Sequence, residues 1–230
     1  MPRRFLYLAL GAWVLFPSPA ARAQTTDNED LLAAAKGDPA YSLIEDALQF
    51  VELHDLDGAL KKLNEAIKLN PRSTSALVLR GCVYGAQKQW LPAEEDFKAA
   101  SFISPDDIQV KLLLADVKFS EKEYNAARML YAALISDPDW GDLAAYRVLL
   151  CDMASGHDAA AAKEFAAFNQ AGENPSYYFS NAAWSLSHKK IEDAKGWLDS
   201  AGRIYPQKKN AAYAQGLVDL GYLPLPPSGK

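Results

Sequence analysis

Basic clusters, histidine and cysteine are all scarce in this sequence. Lysine and arginine number 24 against 29 aspartates and glutamates, and no run of basic residues occurs after the first few positions. That excludes the electrostatic footprint needed to hold nucleic acid. It also leaves no polybasic surface for anionic lipids. Catalytic signatures are missing as well. There is no G-x-S-x-G, no glycine loop that would cradle a phosphate and no H-E-x-x-H. No catalytic residue, metal or cofactor is expected, and the chain does not read as an enzyme. Disorder is excluded too. Half of the residues are hydrophobic, and proline and glycine, at 13 each, are at ordinary levels.

The first 23 residues differ from the rest. Arg3 and Arg4 open the chain, and the uncharged run Phe5 to Phe16 follows. This run has 12 residues, whereas a membrane-spanning helix needs about 20. Ala21-Arg22-Ala23 then places small residues two apart. Together these features predict a secretory signal peptide over residues 1–23, cut between Ala23 and Gln24. An uncleaved anchor is the alternative. No cysteine lies near the cut, so a lipid-anchored form is not expected. The remainder holds 21 basic and 29 acidic residues, a net charge of −8. No later stretch is apolar enough to span a bilayer. The expectation is an exported protein, periplasmic or secreted, without a membrane span in the mature chain.

What the sequence does have is a repeat. Prolines recur at Pro39, Pro71, Pro105, Pro138, Pro175 and Pro206, with spacings of 32, 34, 33, 37 and 31 residues. Each interval holds two amphipathic segments and a short polar break. From Leu56 to Leu69, for example, Leu56, Leu60, Leu63 and Ile67 form one stripe at helical spacing, and Lys61, Lys62, Glu65 and Lys68 lie off it. Helices of about 13 residues are marginal alone. Each pair must therefore stack on its neighbours to bury its stripe. Thr74, Asp106 or Asp107, Asp139 and Ser176 are placed to cap helix starts.

The interval from Thr74 to Pro105 carries Leu77, Gly81 and Tyr84, then Trp90, Ala93, Phe97 and Ala100. This resembles the tetratricopeptide repeat, whose pattern is W-x2-L-G-x2-Y, then A-x3-F, then P. Arg80 departs from it, standing where leucine is expected. Ala47, Phe50, Ala59, Leu63 and Ala66 repeat the spacing, as do Ala182, Ala194, Leu198 and Ala201. Leu114, Ala115, Tyr124, Ala127 and Tyr131 fit in the third interval. The fourth is weakest, with Asp152 where an aromatic residue is expected. The resemblance implies an all-α solenoid of about five tandem helix-turn-helix repeats, over residues 40–73, 74–107, 108–141, 142–174 and 175–206. Residues 24–39 form a linker and a short helix, residues 207–222 a capping helix, and residues 223–230 a proline-rich flexible tail.

The resemblance also implies where function lies. In this family the first helix of each pair lines a concave groove. The inward positions are Tyr41, Ile44, Leu48 and Val51 in the first repeat, and Val78 in the second. Leu112 and Phe119 follow in the third, Tyr146, Leu150 and Met153 in the fourth, and Phe179 and Leu186 in the fifth. Asp116, between Leu112 and Phe119 on the same side of the third repeat, is the one ionised group among the inward positions. Lysine and arginine, with which family members grip acidic C-terminal peptides, are absent from them. An apolar surface with tyrosine, phenylalanine and methionine suits an apolar peptide or the apolar face of a helix. The function so implied is a protein-binding scaffold or adaptor. A groove filled by the chain's own ends, self-association, and an enzyme or small-ligand receptor with a site in the groove are the alternatives. On the groove reading, a charge at Leu112 or Tyr146 abolishes binding and leaves the fold intact.

Other residues have plainer readings. His54, His157 and His188 fall at turns, where an imidazole near a helix C-terminus is favoured. A metal site needs ligands that converge. Aspartates in pairs lie at helix starts or turns. Glu94, Glu95 and Asp96 read as a solvated face. Cys82 and Cys151 fall in repeats that are not neighbours, too far apart for a bridge, and read as small buried apolar residues.

Overall fold

A computed structural model describes residues 28–224. The signal segment, the Ala23–Gln24 cut, residues 24–27 and residues 225–230 of the tail lie outside the described residues. Within them there are twelve helices and no strand. A short helix, α1 (Asn28–Ala35), comes first. Five pairs follow: α2 (Tyr41–Glu52) with α3 (Leu56–Leu69), α4 (Thr74–Ala86) with α5 (Trp90–Ile103), and α6 (Ile108–Ser120) with α7 (Tyr124–Ala132) in chain order. Next are α8 (Gly141–Ala154) with α9 (Asp158–Ala167), α10 (Ser176–Ser187) with α11 (Ile191–Ile204), and a last single helix, α12 (Gln207–Asp219). No helix among the described residues is long and apolar enough to cross a membrane.

The repeat pattern works as a packing code. A Cβ at Gly81 would meet the Phe97 ring at 2.6 Å. Only glycine lets α4 approach α5 that closely, while Ala93, Phe97 and Ala100 are fully buried on α5. Ala59, Leu63 and Ala66 on α3 and Ala127 and Tyr131 on α7 are buried in the same way, whereas α9 and α11 bury only the small positions, Ala161, Ala194 and Ala201, and leave Phe165 and Leu198 half-buried.

Turns between paired helices share one geometry that the sequence does not announce. His54, Lys88, Lys122, Gly156 and Lys189 all have positive φ, between 58° and 69°. Each follows a first helix. The amide three residues past the helix bonds back five residues, as in Asp55 N to Phe50 O and Gln89 N to Tyr84 O, both 2.9 Å. These are Schellman closures, normally a glycine's place. Four of the five are non-glycine, and each bears the modest strain of that conformation.

Helix starts correct several expectations. Ser73, not Thr74, caps α4 and accepts from Ala76 N. Asp107 caps α6 through Gln109 N and Val110 N, as one reading of Asp106 and Asp107 has it. Asp139 and Ser176 cap nothing. Trp140 and Pro175 hold those N-terminal positions, and Asp137 instead bonds the amides of Asp139 and Trp140. The turn from α7 into α8 is tight. A Cβ on Gly141 would collide with the backbone carbonyl oxygen of Ile135. Gly141→Ala is therefore expected to lower the unfolding free energy by about 1–3 kcal/mol, measured by urea denaturation.

The described chain forms two compact units, residues 28–122 and 123–224. In the first, successive helices from α2 to α6 pack in order, and α1 packs against both α2 and α4. In the second, α8 packs against α7, α9 and α10, and α10 packs against α11. Here α12 does more than extend the stack. It touches α11 and α10, and it also reaches α8, the first helix of the preceding pair.

Candidate partner-binding faces

Residues expected to line an open groove are mostly enclosed. Ile44, Leu48, Val51, Leu112, Phe119, Tyr146, Leu150 and Phe179 are all buried. Tyr41, Val78, Met153 and Leu186 are half-buried and present some surface. The resemblance names positions on one side of each first helix. It does not say what else covers that side. On α2 the buried set lies on a helix that α1 packs against. Leu112 and Tyr146, 1% and 0% exposed, cannot serve as surface probes, and a charge at either would attack the fold. That corrects the expectation that such variants stay folded.

In the second unit the covering segment is clear. The Tyr213 ring of α12 lies 5.3 Å from that of Tyr146 and 5.7 Å from that of Phe179. Tyr146 and Phe179 meet edge to face at 6.4 Å. These distances are within the range of favourable aromatic pairs. Gly216 lies against Leu150 and the Arg147 guanidinium, leaving no room for a side chain. Arg147, 1% exposed, donates to Ala212 O at 3.3 Å and stands 3.7 Å from the Asp219 carboxylate. Sequence reasoning passed over Arg147, although a lone cation inside the apolar run Leu143–Leu150 was a visible signal. Burial pushes the Tyr146 hydroxyl well above its ordinary pKa, against the pull of Arg147, so it stays neutral.

Charged groups are also less solvated than the sequence implied. Glu94 and Asp96 are buried on α5, at 9% and 4% exposure, and only Glu95 faces solvent. The face is not solvated because cations meet it. Arg80 holds Asp96 with two bonds of 2.8 and 2.7 Å, and Lys118 and Lys98 hold Glu94 at 3.1 and 2.9 Å. Burial draws the Lys118 ammonium down, but Glu121 and Glu94 outweigh it and raise its pKa above the usual lysine value. In the second unit Asp152, 1% exposed, accepts from Arg128 at 2.8 Å and lies 3.4 Å from His157 Nδ1. An acid thus replaces the aromatic residue of the repeat by bridging α8 to α7.

His157 and His188 engage separate partners, Asp152 for the first and the Trp184 carbonyl at 2.8 Å for the second. Among the described residues no three histidine, cysteine, aspartate or glutamate side chains are grouped to hold a metal. Cys82 and Cys151 are buried. Trp184 stacks on Phe165 at 4.6 Å, and Trp197 meets Tyr177 and Tyr178 at 5.6 and 6.2 Å. Both tryptophans therefore pack between helices.

No family model matches the chain, and no curated protein does. Among solved structures it is similar to a tetratricopeptide repeat protein from Parabacteroides merdae, at 20% sequence identity and a TM-score of 0.59. The likeness covers 85% of this chain and 80% of the other. Identity at that level speaks for architecture alone, and it agrees with the glycine–phenylalanine packing and the helix pairs: the chain has the fold of a tetratricopeptide repeat protein.

Proposed function

We propose that the chain is an exported protein-binding scaffold, periplasmic or secreted, that holds an apolar peptide or helix of another protein on the first-helix face of its repeats. The supporting observation is the seat of α12. The chain's own α12 lies on α8 and α10, with Tyr213 against Tyr146 and Phe179, which supports reading this face as one suited to a helix. Helix-in-groove recognition uses such widely spaced apolar anchors. Met153 and Leu186, half-buried at expected inward positions of the same unit, supply the accessible part of that face, and Tyr41 and Val78, also half-buried, supply surface on the first unit.

The test is affinity capture from an envelope or secretome extract with residues 24–230 as bait, beside Val78→Glu and Leu186→Glu. Both sites have surface to spare, so the variants should remain folded by circular dichroism. A protein enriched by the unmodified bait and lost with either folded variant is the expected result. Identical capture by all three baits would remove the first-helix face from the function.

A further inference from the structure

Partner and α12 compete for one seat. We propose that α12 is a displaceable internal occupant of the α8–α10 face. We further propose that the partner taking its place is a helical segment of the same chemistry: an aromatic residue, a glycine three positions on, and an acidic residue three beyond that. This rests on the docking function proposed above.

The seat specifies that chemistry. Tyr213 enters between Tyr146 and Phe179. Gly216 permits backbone approach, since a Cβ there would strike Leu150 and lie 2.6 Å from Arg147 Nη1. Arg147 is buried, and a buried cation costs several kcal/mol unless an opposite charge or acceptors compensate it. In the occupied seat the Ala212 carbonyl and Asp219 carboxylate are among those groups. A replacement helix that brings equivalents is favoured over a purely apolar or basic segment.

The internal occupant is also an imperfect one. Its buried residues are Asn210, Tyr213, Ala214, Gly216 and Leu217, of which only two are large and apolar. The Tyr146 hydroxyl and Asn210 Oδ1 are buried without a hydrogen-bond partner. Each such group costs about 1–3 kcal/mol. A single 13-residue helix is marginal off its seat. Local opening of α12 is therefore cheaper than unfolding of the unit, and a helix that satisfies the Tyr146 hydroxyl and carries no stranded amide in the place of Asn210 outcompetes it.

The probe is a labelled synthetic peptide of residues 206–223, added to the full chain and to its Gly216→Leu variant. The variant's larger side chain unseats α12 and empties the face. Expected is peptide binding by the folded variant at least about tenfold tighter than by the unmodified chain, whose tethered copy competes at roughly millimolar effective concentration. An Asp219→Asn peptide should bind the variant more weakly. Absence of binding by a folded variant, or equal binding by both proteins, overturns the proposal. Should the variant fail to fold, hydrogen exchange on the unmodified chain decides. Amides of α12 exchanging about a hundredfold faster than those of α8 and α10 support it, and simultaneous exchange overturns it. A doubled mass by light scattering would place α12 on a second copy and also overturn it. Peptide binding needs no natural partner, so capture can fail while this result stands, and the reverse.

Discussion

Tyr146→Glu is expected to unfold residues 123–224, lowering stability by about 4 kcal/mol or more, whereas Tyr146→Phe changes it by less than about 1 kcal/mol. The contrast separates ring from hydroxyl. The ring is 0% exposed and touches Phe179 and Tyr213, so its loss opens a cavity and a carboxylate there has no water. Arg147 is the neighbouring cation, but it already faces Ala212 O and Asp219. The hydroxyl is buried without a hydrogen-bond partner. Removing such a group forfeits no bond and can relieve a desolvation cost. Urea unfolding followed by circular dichroism checks both variants. A Tyr146→Glu protein with an unchanged midpoint would show that this face opens to solvent, and a large loss in Tyr146→Phe would reveal a hidden partner for the hydroxyl.

Helix pairs were legible because short-range rules fix them. Gly81 and Phe97 lie 16 positions apart, yet their pattern recurs, and the structure presses one on the other. Turn conformations were not legible. Lysine or histidine occupies four of the five left-handed positions, and local preference favours glycine there. Covering of the groove was hidden for another reason. The resemblance places Tyr146 and Leu150 on the groove side of α8, but whether water or α12 meets them depends on contacts some 65 residues along the chain. Glu94 and Asp96 were misjudged for a like reason, since a charge looks solvated until the neighbouring helix delivers its counter-ion.

Arg80→Leu restores the residue that the repeat pattern prefers, yet it is expected to destabilise the first unit by about 3–5 kcal/mol. The reason is Asp96. Its side chain is 5% exposed, and Arg80 supplies both of its charged hydrogen bonds while also bonding Asn64 at 2.7 Å. Burial already pushes the Asp96 carboxyl above its ordinary pKa, more than Arg80 draws it down. Without Arg80 that carboxylate is stranded. Arg80→Leu with Asp96→Leu should recover to within about 1 kcal/mol of the unmodified chain, because a buried pair often exchanges for apolar packing at little cost. The pH dependence follows from the sign of the shift. A carboxyl whose folded pKa exceeds its unfolded value loses stability as pH rises through that folded value. The deficit of Arg80→Leu relative to the double variant should therefore be large at pH 7 and shrink as pH falls toward about 4. A deficit independent of pH would mean that Arg80 acts through its packing and its 5.9 Å contact with Tyr84, and not through charge.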